Sequence, residues 1–195
     1  MVNYNLDTDS RSKVYGVLGL ASAALASLAT LTLNSFPLPI AAPSGLVLFG
    51  GLLFVLDRFA WKWKGINTVL GIPILDGYWE GTLERQLGQG VAPEIRAVKM
   101  TITQRWTTMS IVFAGQSSRS SASVISLTIS DPKQVALRWV YDSYDTSGQP
   151  HRNRYGEGAT RVSLSMEKGK RQLKGMYYSA KLSSGSLVLK ESTHG

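Results

Sequence analysis

The 195-residue chain has no cysteine, which excludes disulfides and thiolate metal sites and fits a reducing compartment. Histidine is almost as scarce, with His151 and His194 the two present, too few for an imidazole metal centre. Without a cysteine nucleophile, a His-Glu-x-x-His run, a glycine-rich phosphate loop between strand and helix, or a histidine near a serine elbow, the chain carries no recognised catalytic motif. Glu80 and Glu84 sit four apart on one side of a strand and could be proposed as acid and base, but a solvated strand face accounts for them more simply. The expectation is a binding protein, not an enzyme, with no catalytic residues, no metal and no cofactor.

Against these absences stand two apolar stretches, Val14 to Leu33 and Pro43 to Leu56. The first has no charge, and at about 1.5 Å rise per residue it matches a hydrocarbon core of roughly 30 Å. It is also longer than the roughly 7–15 residues of a signal-peptide core. The second is shorter, and Pro37, Pro39 and Pro43 crowd its approach. Extended through Phe59, Ala60 and Trp61 it gains the length of a second span, so residues 1–64 read as a transmembrane hairpin. Arg11 and Lys13 precede it and Arg58, Lys62 and Lys64 follow, whereas Asn34 to Ala42 has no Lys or Arg; this bias puts both flanks, and hence both termini, in the cytoplasm. Trp61 and Trp63 between lysines have the pattern of an interfacial belt. Gly19, Ala23 and Ser27 recur every four residues, and Gly50-Gly51 adds a second small surface, which permits close helix packing within one chain or between chains.

Residues 65–195 form the second predicted domain. Five of the 21 basic and three of the 13 acidic residues precede Gly65, leaving 16 against 10. A basic domain below a membrane fits either the anionic leaflet or a phosphate-bearing ligand. Its apolar residues alternate in eight candidate strands: Tyr78 to Gln86, Ile95 to Gln104, Thr107 to Ala114, Ala122 to Ser130, Gln134 to Tyr144, Ala159 to Glu167, Arg171 to Lys181 and Gly185 to Lys190. Glycine, serine, Asp-Pro and Gln-Pro turns separate them. Eight antiparallel strands with short connections and no helix between them predict an all-β domain, an up-and-down barrel whose interior holds side chains or one small ligand.

Within that barrel the fifth candidate strand places Val135, Leu137, Trp139 and Tyr141 on one face and Arg138, Asp142 and Tyr144 on the other. Large aromatics beside a fixed charge suit the wall of a polar, stacking pocket. The following segment, His151 to Gly158, brings Arg152, Asn153, Arg154 and Tyr155 together, and Arg105-Trp106 lies at the turn between the second and third strands. Arginine forks bind phosphates, asparagine pairs with a base edge and aromatic rings stack on bases. The candidate ligand-binding set is therefore Arg105, Trp106, Arg138, Trp139, Tyr141, Arg152, Asn153, Arg154 and Tyr155. A solvated basic loop and a packed tryptophan would leave the same marks.

Two apolar segments leading into a β domain that opens with Gly77-Tyr78-Trp79-Glu80-Gly81 and closes with Leu173-Lys174-Gly175-Met176-Tyr177-Tyr178 and Gly185-Ser186-Leu187-Val188-Leu189-Lys190 resemble one bacterial immunity family. It is the SMODS-associated two-transmembrane β-strand effector of cyclic-oligonucleotide-based anti-phage signalling systems (CBASS). The Gly77 to Gly81 run also resembles the first strand of lipocalin-type barrels. The resemblance implies an inner-membrane, multi-pass protein with a cytoplasmic, lipocalin-like barrel. It implies a cyclic dinucleotide ligand made by a partner nucleotidyltransferase (CD-NTase), membrane lipid as a second partner, no DNA or RNA, and homo-oligomerisation on activation that disrupts the bilayer and ends in growth arrest or death. The family's aromatic, Asn and Gly region maps to Tyr144 through Thr160, and this chain has Tyr155 before Gly156 where a histidine often stands.

Two other functions use the same architecture. A membrane-anchored lipocalin-like carrier of a lipid or small hydrophobe requires an aliphatic interior with few arginines. An anchor that recruits a cytoplasmic partner requires a filled barrel and an exposed apolar patch. The arginines that enter the barrel separate the three, and they depend on strand register, since a slip of one residue exchanges the faces.

Overall fold

A computed structural model describes residues 1–6, 10–33, 41–86, 92–116, 118–131, 134–146, 155–180 and 183–192. The chain divides into two compact units, residues 8–72 and residues 1–7 together with 73–195. The first unit is helical. α1 (Ser10–Leu33) has 24 residues and is the one helix, among the described residues, long and apolar enough to cross a bilayer. Ser22, Ser27, Thr30 and Thr32 return their hydroxyls to carbonyls three or four residues back, which satisfies them without water. α2 (Gly45–Arg58) starts at Ser44, whose hydroxyl accepts from the Val47 N–H, and has only 14 residues, roughly 21 Å.

The second apolar stretch is therefore not one long helix. α2 ends at Arg58, a 3₁₀ turn covers Ala60–Lys62, and α3 (Lys64–Leu70) follows. α3 stops at Gly71, whose φ of 62° is the left-handed conformation that closes a helix C-terminus. Within the hairpin a β-carbon on Gly45 would come within 3.9 Å of Ala26 Cβ and the Ser22 carbonyl oxygen. α2 thus packs on the Ser22 and Ala26 side of α1, and Ala23 and Ser27, from the predicted small-residue stripe, remain exposed.

The second unit is the predicted barrel. Its strands are β3 (Gly77–Gln86), β4 (Glu94–Gln104), β5 (Thr108–Ala114), β6 (Ser118–Asp131), β7 (Gln134–Asp145), β8 (Tyr155–Glu167), β9 (Lys170–Ser179) and β10 (Ser183–Ser192). Every strand is antiparallel to its sequence neighbours, β10 returns to β3, and the eight-stranded cylinder is closed. The β8–β9 turn is made by Lys168 (φ 48°) and Gly169 (φ 78°), the positive angles a two-residue hairpin needs. Alternation sets the core: Trp79, Val98, Met100, Ile102, Ile111, Ile125, Leu127, Leu137, Val162, Leu173 and Leu189 are buried in one half of the cylinder. Outside, Glu80 pairs with Lys99 at 3.1 Å and Glu84 accepts from the Ser186 hydroxyl at 2.9 Å, so this carboxylate pair belongs to the outer strand face.

That half is closed by polar ties. Gln104 is buried: its side chain accepts from the Leu75 N–H at 2.7 Å and donates to the Pro73 carbonyl at 3.2 Å, while its own N–H donates to Asp76 at 2.7 Å. Arg171 forks onto Glu191, donates to the Ile74 carbonyl and lies 5.6 Å from the centre of the Trp79 ring. The β5–β6 ladder runs only over Val112–Ala114 against Arg119–Ser121. Toward the closed end the gap is filled by the N-terminus. β1 (Val2–Asn3) is antiparallel to β5 and β2 (Asn5–Leu6) is parallel to β6, two short strands that carry too few residues to show a period.

Candidate functional site

The inward positions of the other half turn from aliphatic to polar and aromatic, and there the eight strands surround a cavity of about 500 Å³. This is within the range of small-ligand sites. Counting inward by twos leads from Trp79 on β3 to Leu83 and Arg85, and from Met100 on β4 back to Arg96. Phe113, Ser120, Trp139, Tyr141, Thr160 and Tyr177 continue the wall around the barrel.

Two tyrosines lie along this wall because glycines stand opposite them. Tyr141 pairs with Gly158 across β7–β8, and a β-carbon on residue 158 would overlap its phenol. Tyr177 pairs with Gly185 across β9–β10, where a β-carbon would come within 2.8 Å of Cε1 of the ring. Such cross-strand pairs keep large rings against the sheet and leave the lumen open. Tyr141 donates to the Tyr178 carbonyl at 3.4 Å. Burial, reinforced by neighbouring Tyr177, pushes its phenol up to about 12 even though a Ser179 hydrogen bond pulls the other way. Burial also raises Tyr177, against the pull of Arg85 and Arg96. Both phenols are therefore neutral donors near pH 7.

The positive charge of the cavity comes from Arg85 and Arg96. Glu94, inward-facing opposite Arg85, accepts from Nε and Nη2 of Arg96 at 2.8 and 2.9 Å and lies 4.0 Å from Nη1 of Arg85. Arg85 Nε is buried without a hydrogen bond among the described residues. Guanidinium forks beside aromatic faces can hold phosphate oxygens and stack bases at once.

Of the predicted site residues, Trp139 and Tyr141 line the cavity. Arg138, between them in sequence, is exposed on the outer face opposite Arg161. Tyr155 is also outside: its hydroxyl donates to Asp142 at 2.6 Å, its ring packs edge-on against Tyr144, and the bond to Asp142 raises its pKa. Arg105 lies at the β4–β5 turn and Trp106 is fully buried there, with its carbonyl accepting from Tyr4 at 3.0 Å; both are at the end opposite the cavity. Arg152, Asn153 and Arg154 lie outside the described residues. Arg85, Arg96 and Phe113 were missed, although continuing the Val98, Met100 and Ile102 alternation backward by one step reaches Arg96. Tyr177 and Tyr178 divide as alternation requires, one buried and one 54% exposed.

The two arginines in the cavity wall count against a carrier of hydrophobic molecules. No curated protein matches the chain. The family model described as "Cap15, cyclic dinucleotide receptor domain" matches residues 70–191, more than half of the sequence and all of the eight-stranded barrel except the last residue of β10. The chain belongs to that family, the cyclic dinucleotide receptors of CBASS effectors.

Proposed function

We propose that the protein is a membrane-anchored CBASS effector in which the barrel cavity binds a cyclic dinucleotide and the helical unit answers by assembling in, and damaging, the bacterial inner membrane. The observation that carries the ligand site is the placement of Arg85 and Arg96 within one aromatic-walled cavity of suitable volume. In this reading the arginines hold the two phosphodiesters, and Trp139, Tyr177 and Phe113 offer stacking faces for the bases. Ligand binding shifts the chain toward an assembled form only through a higher affinity for that form. No covalent step is involved, and the partner CD-NTase supplies the ligand.

The membrane part of the proposal keeps two passages, with both termini and the barrel cytoplasmic, as the lysine and arginine distribution favours. α1 has the length for one. α2 makes the second only if the bilayer thins locally or Arg58, Lys62 and Lys64 extend toward the headgroups. A helix that thins its surroundings supports bilayer damage on assembly, and exposed Ala23 and Ser27 permit contact with a second copy.

Titration of the full chain in detergent with cyclic di-AMP, cyclic di-GMP and cyclic di-UMP tests the ligand site. At least one is expected to bind, and Arg96→Ala is expected to weaken that binding at least tenfold with the melting temperature of the barrel retained. Equal binding by Arg96→Ala would remove the cavity from the site.

A further inference from the structure

The outer face of β6 to β9 carries an ordered pattern of side chains that the cavity does not use. Register places Val124, Val140, Ala159 and Tyr178 side by side across these four strands. All four are exposed, Val124 and Tyr178 by more than half. On one side of this apolar row Arg138 stands directly opposite Arg161, and on the other Asp142 stands directly opposite Glu157. Like charges facing each other across a strand pair repel, so the sheet itself gains nothing from either pair. The Tyr155 hydroxyl holds the acids together, donating to Asp142 at 2.6 Å and reaching Glu157 at 3.3 Å. Arg138 and Arg161 have no ion pair among the described residues. Along both β7 and β8 the outward order is therefore charge, apolar residue, opposite charge, with about 7 Å between the row and either charged pair.

We propose that this face is a self-complementary contact through which the barrels of two copies join, with the two-fold axis lying along the apolar row. The inference rests on the assembly part of the proposed function and names the barrel surface involved. Rotation about that axis sets Val140 and Ala159 of one copy on the same residues of the other. It also carries Arg138 over Asp142 and Arg161 over Glu157, each pairing occurring twice around an apolar centre. An axis along the strands would instead set arginine on arginine, so the charges fix the orientation as well as the partner. An anionic bilayer surface attracts the arginines but repels the carboxylates, which favours a second copy as the occupant. Barrel strands tilt by roughly 35–45°, so two cylinders related in this way cross and the contact is compact. Exposed ion pairs contribute little singly. Such a contact is weak in dilute solution and gains from the high effective concentration of chains held in one membrane.

The chain has no cysteine, so single cysteines report the contact cleanly. The full chain carrying Val140→Cys, or Thr82→Cys on exposed β3 across the barrel, is reconstituted into phosphatidylethanolamine–phosphatidylglycerol vesicles. It is then oxidised with and without cyclic di-AMP, cyclic di-GMP or cyclic di-UMP. Because residue 140 meets its own copy on the axis, Val140→Cys is expected to form disulfide-linked dimers about tenfold faster than Thr82→Cys in at least one of these conditions. Arg138→Glu with Arg161→Glu makes the charges of the face all negative, and Asp142→Lys with Glu157→Lys makes them all positive. Each double variant alone is expected to reduce cross-linking at residue 140 to the Thr82→Cys level. Mixing the two is expected to restore it, a rescue that also shows both barrels to be folded. Equal cross-linking at the two positions, or cross-linking at residue 140 that ignores charge reversal, would overturn the inference. So would protection of the Val140→Cys thiol from a water-soluble maleimide at dilutions that leave each chain alone in its vesicle, because lipid would then cover this face. Equal dinucleotide-driven permeabilisation by parent and charge-reversed chains would overturn the inference alone, whereas a parent that permeabilises with none of the three would overturn the effector reading.

Discussion

The phenol of Tyr141 occupies the place where residue 158 would carry its β-carbon, so Gly158 decides which way that ring lies. Any side chain here must displace the ring and also press on the β9 backbone at the Tyr178 carbonyl. Gly158→Ala is therefore expected to weaken dinucleotide binding and also to lower the melting temperature, because the same β-carbon meets the Tyr178 backbone carbonyl oxygen. The check is titration beside a thermal melt of the same sample. Retained affinity would mean that the lumen tolerates the displaced ring and that Tyr141 does not shape the site.

Arg85 and Arg138 offer a contrast between the two faces of the barrel wall. Arg85 lines the cavity, whereas Arg138 is exposed on the outside. Arg85→Ala is expected to weaken dinucleotide binding more than tenfold, and Arg138→Ala to leave it within about twofold. Dissociation constants measured in one buffer decide the matter. A large effect at Arg138 with none at Arg85 would move the site to the outer surface.

This contrast shows what alternation could and could not disclose. Val162, Leu164 and their partners announce strands because an aliphatic inner face differs visibly from a polar outer face. All eight barrel strands are legible on that basis, and alternation separates the face of Trp139 and Tyr141 from that of Arg138 without deciding which of the two points inward. Where the lumen becomes polar the signal vanishes: Arg85, Arg96 and Ser120 have the composition of a solvent face, and only counting register from the aliphatic half assigns them inward. Arg138 drew attention through its aromatic sequence neighbours, which point the opposite way. The N-terminal strands escaped for a different reason, since two residues establish no period. The shortness of α2 was hidden because hydropathy continues through Phe59 and Trp61 after the helix has ended.

Glu191 links stability to pH. The hydrogen-bonded Arg171 guanidinium holds its carboxyl below the usual glutamate range, more than burial raises it, and Arg171 stays charged throughout. A carboxyl lowered on folding contributes stability that is complete above the unfolded value, about 4.3, and disappears as pH falls through the lowered folded value. The parent is expected to lose melting temperature more steeply below about pH 4 than Glu191→Gln does. Parallel profiles in that acid window would show that the ion pair, which is partly exposed, is screened into irrelevance.

Tyr4 is the anchor by which the N-terminal segment closes the barrel. It is 1% exposed, and its hydroxyl donates to the Trp106 carbonyl at 3.0 Å, across the gap that the short β5–β6 ladder leaves. Tyr4→Phe removes that hydrogen bond while keeping the ring and is expected to cost about 1 kcal/mol. Tyr4→Ala also empties a buried site and is expected to cost about 3–5 kcal/mol. Denaturant titration of the full chain, with barrel tryptophan emission as the signal, separates the two variants. The same segment continues in sequence into α1, so Tyr4→Ala loosens the barrel-side end of that connection. If the seam transmits ligand binding to the membrane, Tyr4→Ala at a temperature where the barrel is folded should bind dinucleotide and no longer permeabilise inner-membrane vesicles. A variant as stable as the parent would show that β5 and β6 close the cylinder without the N-terminus, and one that still permeabilises would show that the signal reaches the helices through Pro73 instead.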